Sequence, residues 1–77
     1  MTRYVALAER DETGVWTGTV AGLPGAITQA GRLSELRGMA AEAVEALTGV
    51  PVAAEDVDVT VVLGSVEAAA AELRQAS

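Results

Sequence analysis

The sequence predicts an α+β domain, with four strands in one mixed sheet packed against a helix. Three observations carry this reading. Residues 3–30 hold strand-like runs whose side chains fall on two faces with period two, and glycine turns interrupt them. The next stretch switches to spacings of three and four, the signature of an amphipathic helix. A β-branched run after that helix supplies a strand that a crossover can bring parallel into the same sheet. The expected order is β-β-β-α-β-α.

Arg3–Glu9 reads as the first strand, with Tyr4, Ala6 and Ala8 on one face and Val5 and Leu7 on the other. Asp11-Glu12-Thr13-Gly14 then suits a hairpin connection ending in a positive φ. Val15–Ala21 returns as the second strand, with Trp16, Gly18 and Val20 sharing a face. In Gly22-Leu23-Pro24-Gly25, proline fixes one central φ and glycine takes the positive φ of a type II turn. Ala26–Ala30 follows as a short third strand, which makes the three an antiparallel meander.

Leu33, Leu36, Ala40, Ala43, Val44 and Leu47 recur at helical spacing and form one apolar stripe. Glu35, Gly38, Glu42 and Glu45 fall opposite it, giving the helix an acidic solvent face. Gly49 stands where a terminating glycine does, and Pro51 prevents continuation. Gly38 costs about 1 kcal/mol relative to alanine, a cost that packing is expected to offset. Val57–Leu63 reads as the fourth strand, with Val57, Val59, Val61 and Leu63 on one face. Ser65 is a candidate N-cap for a short terminal helix over 65–75, whose apolar stripe is Val66, Ala69, Ala70 and Leu73. A single domain is expected over residues 1–77, with its core in 3–63.

Composition narrows the function. The chain has 77 residues, 51% of them hydrophobic, which is too apolar for disorder and enough for one modest core. No apolar run approaches the ~20 residues of a bilayer span, and Met1-Thr2-Arg3-Tyr4 lacks the apolar segment of a secretory signal. A cytoplasmic protein with no membrane partner is expected. Cys, His and Lys are all absent, which removes thiolate nucleophiles, zinc–thiolate sites, the usual general base and the phosphate-binding or Schiff-base lysine. Eleven acidic residues against five arginines give a net charge of −6, the opposite of a nucleic-acid surface. The expectation is a binding domain, not an enzyme, with no cofactor.

Glu55-Asp56-x-Asp58 is the densest carboxylate cluster, and hard cations take oxygen ligands. It lacks EF-hand spacing and a further ligand-bearing element, so it reads as a solvated loop and no metal is expected. Trp16, the one large aromatic besides Tyr4, covers the core or an interface, with a partner contact as the alternative. Asp11 and Glu12 at the hairpin tip join Glu35, Glu42 and Glu45 as candidate partner or dimer contacts able to steer a basic protein. A domain this small buries only about 60% of its unfolded surface, so a two-fold homodimer through Trp16 or the terminal helix is expected.

Several features recur in a fixed order. Tyr4 comes early in the first strand, followed by the acidic-glycine hairpin and the aromatic strand Gly14–Val20. Then come Gly22-Leu23-Pro24-Gly25 and Thr28-Gln29 followed by a small residue. The helix opens Leu33-x-Glu35 and later carries Glu42-Ala43-Val44. In this spacing, from Tyr4 to about Leu63, the chain resembles the HicB-like antitoxins of bacterial type II toxin–antitoxin systems. Two departures stand out. The family's Gly-Asp-Thr is Ala30-Gly31-Arg32 here, so half of a Thr–Glu capping box is lost while Glu35 is kept, and Ser34 is an alternative cap. Many members also append a DNA-binding segment, whereas the terminal helix here has Arg74 as its one basic residue. No binding of nucleic acid by the chain alone is expected.

The resemblance implies a partial ribonuclease-H-like fold, with sheet order 3-2-1-4 and the last strand parallel to the first. It implies a homodimer that neutralises a small basic mRNA-cleaving (HicA-like) ribonuclease toxin by occluding its catalytic histidine. True enzymes of that fold carry a metal-binding Asp in the first strand. Arg3-Tyr4-Val5-Ala6-Leu7-Ala8 has none, and fold alone confers no activity. The alternative is a free-standing HicB-like regulatory or structural homodimer without a toxin partner.

Overall fold

Alternation along the strands decides which face of the sheet is buried. The computed structural model of the protein describes residues 3–76. In β1 (Tyr4–Arg10), Ala6 and Ala8 are fully buried while Val5 and Leu7 remain open to solvent. In β2 (Trp16–Val20), Trp16, Gly18 and Val20 point to the same covered side. With β3 (Ile27–Ala30) and β4 (Val57–Val61) these strands form one sheet in the order β3-β2-β1-β4. β2 runs antiparallel to both β1 and β3, and β4 runs parallel to β1 with Tyr4 opposite Val57 and Ala8 opposite Val61. The α+β class, the strand sequence and the 3-2-1-4 order are those expected.

The turns follow from their residues. Ala26 N–H donates to the Leu23 carbonyl at 3.0 Å, and Gly25 has φ 95°, which closes the type II turn around Pro24. Gly22 closes a further turn just before it, with Leu23 N–H donating to Val20 at 3.3 Å. α1 (Leu33–Thr48) ends at Gly49, whose left-handed backbone aims its N–H at the Glu45 carbonyl, 2.7 Å away.

α1 lies on the covered face and buries Leu36, Ala40, Ala41 and Val44. Its approach is close because the facing residues are small. A Cβ added at Gly18 would sit 3.1 Å from Leu36 Cγ and 3.2 Å from both methyls. Leu36 therefore occupies the space that Gly18 leaves open. One core cluster gathers Ala6, Val20, Ala26, Ala40, Val44 and Val57, and a second gathers Trp16, Ala8, Ala30, Leu36 and Ala69. Trp16 is 1% exposed. It is a core residue, and this corrects its candidacy as a partner or dimer contact: a side chain sealed beneath α1 presents nothing to a second molecule.

Several local expectations also change. β4 ends at Val61, and Leu63 starts a turn of 3₁₀ helix (Leu63–Ser65) in which it is 90% exposed. The turn breaks the alternation that would have put Leu63 inside. Leu47 is half exposed, lying beside the Pro24-Gly25 turn at the end of α1 and not over the sheet core. Ala41 contributes to the buried stripe instead. Gly38 has no packing partner at all, since a Cβ there would meet nothing within 4 Å. α2 (Val66–Ala76) buries Ala69, whereas Val66 and Leu73 are exposed. Ser65 is buried, but its Oγ accepts the Arg10 N–H at 2.9 Å, tying the start of α2 to the end of β1. Ser34 does not cap α1: the helix begins at Leu33 with Arg32 at the N-cap, and no side chain of that residue bonds back. No helix among the described residues is long and apolar enough to cross a membrane.

Candidate partner-binding surface

The acidic residues separate into two kinds, those that build the fold and those that face outward. Asp11 is of the first kind. Its Oδ1 accepts the Thr13 N–H at 2.8 Å, the Val15 N–H at 3.0 Å and the Thr13 hydroxyl. Local side-chain bonding of this sort fixes a turn. These bonds, the Thr13 hydroxyl first, hold the Asp11 carboxyl below its ordinary range. Glu12 sits beside it at the tip, exposed.

Glu35, Glu42 and Glu45 belong to the second kind. All three are exposed on α1, away from the Leu36–Ala40–Val44 stripe. Glu45 also accepts the Val52 N–H at 3.3 Å, which steadies the segment leaving the helix. Strand pairing fixes where these acids lie relative to the hairpin. Ala30 pairs with Trp16, and Trp16 pairs with Arg10, so α1 starts at the same end of the sheet as the hairpin tip. Glu35 shares that end with Asp11 and Glu12, while Glu42 and Glu45 lie about two and nearly three helical turns toward the other. The five candidates thus form an extended negative rim, not a focused site.

The carboxylates of 55–58 are also accounted for. Asp58 takes Arg3 in a two-pronged pair, Nη2–Oδ1 at 2.6 Å and Nε–Oδ2 at 3.1 Å, at a half-exposed position. The hydrogen bond from Arg3 lowers the Asp58 carboxyl and raises the guanidinium in turn. Asp56 Oδ2 accepts the Ala53 N–H at 3.4 Å. Among the described residues, no three acidic side chains converge as metal ligands.

The sequence missed a groove of about 1020 Å³. Val59 and Val61 of β4 line it together with the first turns of α1 and one side of α2. Arg10, Arg32 and Arg37 stand around it, three of the five arginines of an acidic chain. In sequence they are scattered; the strand register and the start of α1 gather them. Glu72 enters the same groove from α2, and both its oxygens lie 3.1 Å from the Leu33 nitrogen. The N-terminal positive end of α1 is therefore met by a carboxylate of the chain itself.

No family model, no curated protein and no solved structure matches the chain.

Proposed function

We propose that the chain is an antitoxin-type inhibitor, a HicB-like domain that binds and neutralises a small basic mRNA-cleaving toxin in the cytoplasm. One observation carries the reading. The sheet runs β3-β2-β1-β4 with β4 parallel to β1 and α1 over one face, the arrangement that the resemblance implies. The rim of Glu35, Glu42, Glu45 and Glu12 supports it, because a ribonuclease that binds RNA must present positive charge. Inhibition by this route is steric. The inhibitor covers the toxin's RNA-binding surface and needs neither cofactor nor catalytic group of its own.

The test is co-expression with the product of an adjacent reading frame that encodes a small, basic, His-containing protein. Retention of that product on the tagged chain, with relief of its growth inhibition, is the expected result. Exposed charges act mainly on the association rate. The triple change Glu35→Gln, Glu42→Gln, Glu45→Gln should therefore lower kon, more so at low salt, and leave koff nearly unchanged. An unaltered kon at low salt would move the docking surface elsewhere. Failure to retain any such product would leave the free-standing homodimer as the better reading.

A further inference from the structure

We propose that the arginine-rimmed groove between α1, α2 and β4 is a docking site for an acidic, aliphatic segment of a partner protein. It is distinct from the acidic rim, and the inference stands independently of any toxin. The groove exists because its walls are short. Val59 and Val61 line it from β4, and α2 contributes Ala68 and Ala71, methyl groups where longer side chains would close the gap. All four are partly exposed, and Leu33 and Leu73 extend the apolar lining.

Arg10, Arg32 and Arg37 give this groove a charge opposite to that of the chain as a whole. Strand alternation puts Arg10 on the same face as Ala6 and Ala8, the face that α1 covers. Arg32 immediately precedes α1, and Arg37 lies in its second turn. Glu35 and Arg37 are about 200° apart around the helix axis, so α1 holds them on opposite sides. These arginines leave their bonding capacity unused in a chain with eleven acidic residues. Among the described residues, the guanidiniums of Arg10, Arg32 and Arg37 make no hydrogen bond and no ion pair. Arg37 acts on Asp58 only through space. Glu72, the one acid lining the groove among the described residues, takes the Leu33 N–H with both oxygens. Three positive charges therefore stand against one negative.

Guanidinium forks over an aliphatic floor specify the occupant. A carboxylate can take a guanidinium in two parallel hydrogen bonds, and aliphatic side chains suit the valines and alanines beneath. No aromatic side chain among the described residues lines the groove, which removes the stacking platform that a nucleobase uses. A volume of about 1020 Å³ exceeds what one small anion fills and suits a stretch of several residues. A long polyanion or an anionic bilayer would also meet the rest of a surface whose net charge is −6. A short segment meets the groove alone, because charges beyond about 8 Å are screened at physiological salt. The same arginines repel a basic protein, so the groove and the acidic rim take different partners.

Fluorescence anisotropy with a fluorescein-labelled peptide of alternating glutamate and leucine tests this, with a lysine–leucine peptide as control. The acidic peptide should bind saturably with a Kd below about 1 mM, and the basic one should not bind. Amide NMR shifts on adding the acidic peptide should concentrate at Val59, Val61, Ala68 and Ala71. Arg10→Gln, Arg32→Gln and Arg37→Gln together should weaken binding about tenfold or more. All three side chains are exposed, so the variant should stay folded. Ala71→Met fills the groove while keeping the arginines and should weaken binding as well, whereas Arg3→Gln, outside the groove, should not. Absence of saturable binding by the acidic peptide overturns the proposal, as does equal binding of the basic one. So does native affinity in the triple variant, or a shift pattern centred on Val5 and Leu7 of the open sheet face. Binding of phosphatidylserine vesicles or of inorganic phosphate in place of the peptide, lost in the triple variant, would give the groove another ligand and overturn it too.

Discussion

Glu72, on α2, receives the Leu33 N–H at the start of α1 with both carboxylate oxygens at 3.1 Å. The contact spans 39 positions in sequence and does the work of a missing local cap. Arg32 stands at the N-cap, where Ser, Thr, Asp or Asn would bond a free N–H, and its long basic side chain accepts nothing. Glu72 supplies the acceptor and places negative charge at the positive end of the helix. It also tethers α2, whose one fully buried side chain among the described residues is Ala69.

Removing this cap should cost about 1 kcal/mol, the usual scale for a lost N-cap. Glu72→Ala is accordingly expected to lower Tm by about 4–8 °C, the shift such a loss produces in a domain of this size. Arg32→Thr restores a local cap, with Glu35 three residues on to complete the box. It should recover most of the loss in the Glu72→Ala background and add little to the native chain. An unchanged Tm in the single variant would show that the contact contributes nothing.

Gly18, beneath α1, and Gly38, on the open side of α1 itself, have opposite sensitivities. A methyl at Gly38 would meet no atom within 4 Å, so Gly38→Ala should stabilise by about 1 kcal/mol, the difference in helix propensity. A methyl at Gly18 would press on three atoms of Leu36 at 3.1–3.2 Å, so Gly18→Ala should destabilise, by about 1–3 kcal/mol. Urea midpoints measure both. Equal midpoints for the two variants would contradict the packing described here.

What the sequence made legible and what it hid divide along contact range. Period-two alternation in Tyr4–Ala8 and Trp16–Val20 sorted the side chains onto the two faces of the sheet, because each side chain's direction follows from its neighbours in a strand. Leu23-Pro24-Gly25 and Gly49 announced their own backbone geometry. Leu63 and Leu47 were misassigned because hydrophobicity marks what can be buried, not where the sheet stops. Glu72 was unreadable as a cap, since no local spacing links it to Leu33. Arg10, Arg32 and Arg37 meet only through the register of β1, β2 and β3. The acidic helix face was legible, but Asp11 was not, because its carboxylate is spent inside its own turn.

Acid sensitivity follows from two of these carboxylates. Asp58 is lowered by its hydrogen bond to Arg3, and Asp11 by the Thr13 hydroxyl and the Val15 N–H. Each binds a proton more readily unfolded than folded. Each therefore stabilises the fold above the ordinary Asp value of 3.8, and that contribution is lost as pH falls through the lower folded value. Stability should be flat with respect to these groups from pH 7 down to about 5, and decline below about 4. Asp58→Asn and Asp11→Asn should each flatten the acid limb of a Tm–pH profile. High salt should reduce the Asp58 part more, because that pair is exposed. A limb unaltered in both variants would assign acid sensitivity to other groups.

The strongest effect is expected at Trp16. The side chain is 1% exposed and packs with Ala8, Ala30, Leu36 and Ala69, with Leu33, Val59 and Val61 beside them. Three of its four buried neighbours are alanines, and alanines cannot swing inward to fill a void. Truncation to alanine should thus leave a cavity and cost about 3–5 kcal/mol, the range for large aromatic residues in cores. A domain of this size has a total stability on the order of 4–12 kcal/mol, so Trp16→Ala should be partly or wholly unfolded near 37 °C. Trp16→Phe keeps much of the volume and should remain folded with a lower urea midpoint. As the one tryptophan in the chain, Trp16 also reports on itself, with blue-shifted emission when folded and a red shift along the unfolding curve. If a binding partner is found, Trp16→Phe should lower Tm and leave koff nearly unchanged. A Trp16→Phe variant with native stability but a raised koff would instead place the indole at the partner surface, against the burial described here.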